Sequence, residues 1–398
     1  MADVQQLVDQ LAERLQRSVA VDTPRGHLIA SSKHFGDEDT PRINVVLSRD
    51  LEPRVAKYLF SFGIRSASEN VLIPAKPELG LKARCCYPLR HHRRLLGFIW
   101  LIDDCAPDDV VRPYADQIAE ALGQQEDSAE ADTHRLTELG RQLLSTAYDA
   151  NHVATALTEN GFASVDSLVR VVAVAQPLHR ARSVRFPVLR TSGPAREWMR
   201  PGRDMIEVDL DAAAVLICAR RAGDADEGLD RLITRLAADL NESGVRIGMS
   251  APGKLLESRA LLRQALLAAY AGHIFGELGH VNSWTEMFPH RVLMEMALAF
   301  PQSSLPPEGM AALFDPANAV LLETVEAYLD HGGDRTASAE ALFIHRSTLY
   351  YRLSQVQKLT GLDPANGRSQ LALQIAIKLQ RIAGSGVAAL LQNEEDSV

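Results

Sequence analysis

The sequence predicts a multi-domain α+β protein: an N-terminal antiparallel sheet with helices, a central α/β domain, and an all-α C-terminal helix-turn-helix domain. Three observations carry this prediction. The chain has 398 residues, too many for one ordinary core. Its apolar pattern changes along the length, from short alternating runs, to strand-helix alternation, to helical spacing alone. A proline-rich break, Pro301-Gln302-Ser303-Ser304-Leu305-Pro306-Pro307, separates the last pattern from the others. Composition supports a folded chain, at 46% hydrophobic and 23% charged.

The first element is a helix, because Val4, Val8, Leu11 and Leu15 form an apolar seam. Short β-type runs follow. Pro24-Arg25-Gly26 turns Val19–Val21 into Leu28–Ala30, and His91-His92-Arg93-Arg94 joins Arg84–Leu89 to Leu95–Ile102. Helices are predicted around Pro53–Phe62 and Val110–Leu122. The phrases VAVDTPRGHLIASS and CCYPLRHHRRLLGFIWLID resemble the opening and closing hairpins of a GAF-type or PAS-type sensor domain, here residues 1–125. The resemblance implies a pocket or docking surface for an unidentified small-molecule effector or regulatory protein.

A polar, acidic stretch (Gln124–Thr133) reads as a linker or exposed joint, and Leu136, Leu139, Leu143, Ala147 and Ala150 then recur at helical spacing, so 126–164 is expected to be a helical connector. In the central domain, 165–300, strands are predicted at Leu168–Ala175, Val184–Leu189, Met205–Val208, Ala213–Ala219 and Val245–Met249. Helices are predicted at Leu229–Leu240 and about Leu255–Ala271. The run GVRIGMSAPGKLLESRALLRQALLAAY resembles the degenerate GGDEF-like domain of the PucR/CdaR family of bacterial regulators. A diguanylate cyclase of the GGDEF type needs a Gly-Gly-Asp/Glu-Glu-Phe turn, whose acids hold divalent metal on the phosphates. The one Gly-Gly pair, Gly332-Gly333, is followed by Asp334-Arg335-Thr336. No catalytic residue, cofactor or metal site is therefore predicted, and the protein is not expected to be an enzyme.

The C-terminal domain, 309–383, has a first helix with an apolar face of Leu321, Leu322, Val325, Tyr328 and Leu329, ended by Gly332-Gly333. Thr336 is expected to cap a short helix, Ala337–Leu342, in which small Ala339 permits a close crossing. Phe343-Ile344-His345 turns the chain into a third helix with Leu349, Leu353, Val356 and Leu359 inward. A last helix, Leu371–Ile382, closes the core with Leu371, Leu373, Ile375 and Leu379, and 384–398 is expected to be a loose tail.

The whole chain carries a formal charge of −9, so binding to double-stranded DNA requires a local basic element. From Arg346 to Lys358 there are three bases and no acid. The outward arc holds Ser347, Thr348, Tyr351, Ser354, Gln355 and Lys358, with Tyr350 beside it and Arg346 and Arg352 at the flanks facing the DNA backbone. The segment LLETVEAYLDHGGDRTASAEALFIHRSTLYYRLSQVQKLTGLDP is similar to the C-terminal helix-turn-helix of PucR-type regulators, carried by His345-Arg346-Ser347-Thr348-Leu349 and Tyr351-Arg352-Leu353. Ser347 stands where that family usually has asparagine, and Ser354-Gln355 where it often has bases. The resemblance implies a one-component transcription regulator.

One recognition helix reads few base pairs, so a homodimer or higher homo-oligomer is expected, with the seams Val4–Leu15 and Leu136–Ala150 as contact candidates. The four cysteines are expected to be reduced thiols. No segment reads as a membrane span, which points to a cytoplasmic protein.

Overall fold

The computed structural model describes residues 3–177, 203–211, 213–219, 227–241, 244–299, 308–389 and 391. The strand expected at 184–189, the proline-rich break at 301–307 and the acidic residues 393–396 lie outside them. The chain forms two compact units, Met1–Asp132 and Thr133–Val398.

In the first unit, α1 (Val4–Leu15) begins at Asp3, whose carboxylate accepts from the Gln5 backbone N–H. Strands β1 (Val19–Asp22) and β2 (Leu28–Ser31) form the first hairpin, followed by helices α2 (Thr40–Ser48) and α3 (Pro53–Phe60). Strand β3 (Val71–Ile73) precedes the long hairpin of β4 (Arg84–His91) and β5 (Arg94–Ile102), and α4 (Asp108–Leu144) follows. The strands form one antiparallel sheet in the order β2-β1-β5-β4-β3.

Alternation along the strands gives this sheet two apolar faces. Val19, Val21, Cys85, Leu89, Ile99 and Leu101 meet Val4, Val8 and Leu11 of α1 and Val111 and Ile118 of α4. Cys86, Phe98 and Trp100 meet Val55 and Leu59 of α3, with Ile64 and Ile73. The α1 seam offered as a dimer contact is thus spent on the chain's own sheet.

The cysteine expectation is corrected in one pair. Neighbours on a strand point to opposite faces, and Cys85 forms a disulfide with Cys105, their Cα atoms 5.0 Å apart. Cys86 and Cys218 are free and buried. The polar stretch 124–133 is helical throughout as part of α4, which ends at Leu144 rather than continuing to Ala150.

The second unit opens with α5 (Ala150–Glu159) and builds a mixed sheet from β6 (Leu168–Ala175), β7 (Met205–Asp209), β8 (Ala213–Ala219), β9 (Arg246–Met249), β10 (Gly253–Lys254) and β11 (Val281–Ser283). The order is β11-β9-β6-β8-β7, with β10 also on β6 and only the β11–β9 pair parallel among the described strands. Helix α6 (Glu227–Leu240) covers one face through Leu232 and Leu236. Helices α7 (Ser258–Ile274) and α8 (His290–Ala299) cover the other, together with α5 and Leu136, Leu143 and Leu144. The second seam offered for dimerisation is therefore also largely internal. A Cβ on Gly248 would lie 2.1 Å from the Ala265 carbonyl oxygen, so glycine there and the run of alanines on α7 permit a very close helix–sheet contact.

Four helices complete the chain: α9 (Ala319–Asp330), α10 (Arg335–Ala341), α11 (Arg346–Thr360) and α12 (Gly367–Ser385). Helix α12 serves two cores. Leu373, Ala376 and Ile377 pack with Val325, Leu329 and Val356. Leu379 and Ile382, followed by Val387 and Leu391, enter the core of the central sheet. The stretch expected to be loose from 384 thus buries two side chains, whereas Leu371, expected inside, is 58% exposed. Among the described residues no helix is long and apolar enough to cross a membrane.

Candidate nucleic-acid interface

The site begins where α9 ends. Gly332 and Gly333 have φ of 63° and 85°, and their N–H groups donate to Leu329 and Tyr328 carbonyls at 3.0 and 2.9 Å. A Cβ on Gly333 would lie 3.0 Å from Gln370 Nε2, so this turn is both left-handed and crowded.

Asp334, not Thr336, caps α10. Its carboxylate accepts from the N–H groups of Thr336 at 2.7 Å and Ala337 at 3.1 Å. These bonds, chiefly that of Ala337, hold the Asp334 carboxyl below its usual range. Aspartate accepts through a charged oxygen and outranks threonine as a cap, a signal available in the sequence. Ala339 packs with Tyr328, Leu349 and Leu353, fixing the crossing of α10 and α11.

The turn between them is Phe343-Ile344-His345. Phe343 has φ of 54° and is 97% exposed. The Ile344 N–H donates to the Ala339 carbonyl at 3.0 Å, closing the turn. His345 caps α11: its Nδ1 accepts from the Ser347 N–H at 3.3 Å and lies 2.8 Å from Ser347 Oγ. Gly361, at φ 73°, ends the helix.

Leu349, Leu353 and Val356 are buried, and this leaves the polar residues of α11 on one outer side. Arg346, Ser347, Tyr350, Tyr351 and Lys358 are exposed, and Thr348, Ser354 and Gln355 are half-buried. Ser354 Oγ donates to the Tyr351 carbonyl at 2.7 Å. Arg352 differs from the expectation. It is half-buried, and its Nη1 donates to Thr324 Oγ1 of α9 at 3.3 Å, tying two helices together. Thr324 is itself fully buried and donates to the Val320 carbonyl at 2.6 Å.

One cation escaped sequence reasoning. Arg335, at the start of α10, donates from Nη1 to Tyr350 Oη at 3.1 Å, with its guanidinium carbon 4.7 Å from the ring centroid. It joins Arg346 and Lys358 at the surface. Nothing in a linear reading of α11 brings in a base from the start of the preceding helix.

A short helix crossing a longer one at an alanine, a tight turn between them, and an exposed acid-free side on the longer helix define a helix-turn-helix domain. Comparison with known proteins agrees: residues 321–379 match the PucR C-terminal helix-turn-helix domain, and the chain carries that domain. It is 44% identical over 62 residues to the carbohydrate diacid regulator of Escherichia coli K12, a match covering 16% of each chain. It is 19% identical to the proline-responsive transcriptional activator PutR of Bacillus subtilis over 96% of this chain and 97% of that one. The curated relatives that match at 41% and 44% identity are covered over only 21% and 16% of their own length. A solved regulator of polyketide synthase expression from Bifidobacterium adolescentis is 18% identical, covering 63% of this chain and 98% of its own, at a TM-score of 0.32.

Proposed function

We propose that the protein is a DNA-binding transcriptional regulator that acts as a dimer. The observation that carries this reading is the outer side of α11, which is free of acids from Arg346 to Lys358 in a chain of net charge −9. Ser347, Thr348, Tyr351, Ser354 and Gln355 read base edges, and Arg346, Lys358 and Arg335 meet phosphates. Tyr350 holds Arg335 in place. Arg352 positions α11 through Thr324 and turns its remaining N–H groups to the backbone of the duplex.

Residues 1–125 serve as a GAF-like sensor, a role supported by the antiparallel sheet with helices on both faces. Residues 165–300 act as a GGDEF-like domain without catalysis. The full-length similarity to an activator named as proline-responsive supports control by a small molecule.

The test is recovery of genomic fragments by the purified protein at near-physiological salt, followed by sequencing. A shared inverted repeat, lost in Arg346→Ala, is expected. Fragment recovery equal in the wild type and Arg346→Ala at every salt concentration refutes α11 as the DNA-reading helix and leaves a protein-docking role for the domain.

A further inference from the structure

The turn into α11 holds a side chain that does nothing for the free protein. Phe343 sits at φ 54°, in the left-handed region where a Cβ crowds the backbone and glycine is at ease. Hydrogen bonds fix it there: the Phe343 N–H donates to the Glu340 carbonyl at 3.1 Å, and the Ile344 N–H to the Ala339 carbonyl at 3.0 Å. Burial of the ring does not offset this strain. At 97% exposed, Phe343 is the most exposed large apolar side chain among the described residues.

Its neighbours behave differently. Leu342 and Ile344, on either side of it, are half-buried and pack on the cluster of Tyr328, Ala339, Leu349 and Leu353. These two already anchor the turn, so Phe343 is not needed to close it. A single apolar residue at a surface is ordinary, but one that is also held in a strained backbone is an outlier that points to a partner.

The position of Phe343 selects the partner. It lies three residues before Arg346, a backbone span of at most about 11 Å. Arg346 and Ser347 open the acid-free outer side of α11, on which Tyr350 and Tyr351 place two further exposed rings. A duplex lying against that side presents apolar surface as well as phosphate, in the C5-methyl groups of thymine and the edges of the deoxyriboses.

We propose that Phe343 is a DNA-contacting residue, whose ring packs on a thymine methyl or a deoxyribose at the edge of the stretch that α11 reads. This rests on the DNA reading of α11 and adds to it a contact without charge. Such a contact displaces water rather than counterions, so it strengthens binding equally at low and high salt.

The experiment measures the affinity of the full-length protein for the fragment that wild type enriches most, over a range of salt, in wild type, Phe343→Gly, Phe343→Asn and Arg346→Ala. Asparagine tolerates the left-handed backbone without supplying an apolar surface, so the pair separates the ring from the flexibility of glycine. Both Phe343 variants are expected to unfold at the same urea concentration as wild type or a higher one. Both are expected to bind about fivefold more weakly or worse at every salt concentration, with an unchanged slope of log affinity against log salt. Arg346→Ala is expected to flatten that slope by about one. A duplex made with uracil in place of thymine lacks the methyl groups: weaker binding by wild type but not by Phe343→Gly assigns the contact to a methyl, and no change in either assigns it to deoxyribose. Affinities of Phe343→Gly and Phe343→Asn within about twofold of wild type overturn the proposal and leave the DNA reading of α11 intact. A loss that comes with a flatter salt slope means that the turn merely seats the phosphate contacts, and also overturns it. Failure of wild type to retain any fragment refutes the DNA reading itself.

Discussion

Replacing Asp22 by asparagine is expected to stabilise the first unit at neutral pH and to do little in acid. Burial raises the Asp22 carboxyl from the 3.8 of a free aspartate to about 6, even though Arg42, Arg84 and the Trp100 indole N–H all favour the anion. Each tenfold change in a protonation equilibrium is worth about 1.4 kcal/mol, so ionised Asp22 costs about 3 kcal/mol of stability above its folded pKa. Between about pH 4 and pH 6 the folded chain holds a proton that the unfolded chain has released. Stability contributed by this group therefore falls as pH rises through that window, and the full cost remains at higher pH. The asparagine side chain is neutral throughout. The gain in the variant is thus expected to approach about 3 kcal/mol at pH 7.5 and to vanish near pH 4, or roughly 10 °C in Tm at the upper end for a unit of this size. Urea unfolding followed by tryptophan emission at both pH values measures it. A variant less stable than wild type at pH 7.5, or a gain of equal size at pH 4, refutes the account of Asp22 as a buried anion whose desolvation outweighs the charges beside it.

Phe343 sits at φ 54°, where a bulky side chain is strained and glycine is not, and its ring is 97% exposed, so it adds no core contact. Phe343→Gly is expected to stabilise the domain by roughly 1 kcal/mol in urea unfolding, within the range for a left-handed residue. Leu349→Ala empties a fully buried position at the α10–α11 crossing and is expected to cost about 2–5 kcal/mol, with loss of DNA retention at 37 °C. Asp334→Ala is expected to strip hydrogen-exchange protection from the start of α10, whereas Thr336→Ala leaves it nearly unchanged, because the cap bonds end on Asp334. Equal protection in the two variants contradicts that assignment.

The helix-turn-helix was legible because its geometry depends on local features. Leu349, Leu353 and Val356 repeat at helical spacing, Ala339 is small, and Gly332-Gly333 breaks the chain, all within one short stretch. The edges of the candidate site were less legible. Arg352 looks like another surface base until α9 brings Thr324 within 3.3 Å of it, and Arg335 looks like a helix-start residue until Tyr350 reaches it. Both depend on packing between elements, which periodicity does not report. The two seams read as dimer contacts illustrate the same limit: an apolar stripe states that something covers it, and here the covers are the chain's own sheets. The disulfide was missed on grounds of composition, since few cysteines suggested reduced thiols, while strand alternation decides which of the adjacent pair faces Cys105.

The shared helix α12 gives the second unit a means of coupling its parts. Its side chains close the helix-turn-helix core with Leu373 and Ile377 and the central core with Leu379 and Ile382. Glu277, in the loop after α7, fastens it there by accepting from Lys378 and from His290 Nε2 at 3.0 Å. Burial works to raise the Glu277 carboxyl, but these bonds win and take it down to about 2, so the latch stays charged at any physiological pH. One helix thus packs into the central core at its C-terminal half and against α9 and α11 at its N-terminal half. Glu277→Gln keeps the shape and removes the charge, and it is expected to lower hydrogen-exchange protection along α12 while sparing α10 and α11. If protection instead falls uniformly across the last four helices, α12 belongs wholly to the helix-turn-helix and transmits nothing from the central sheet.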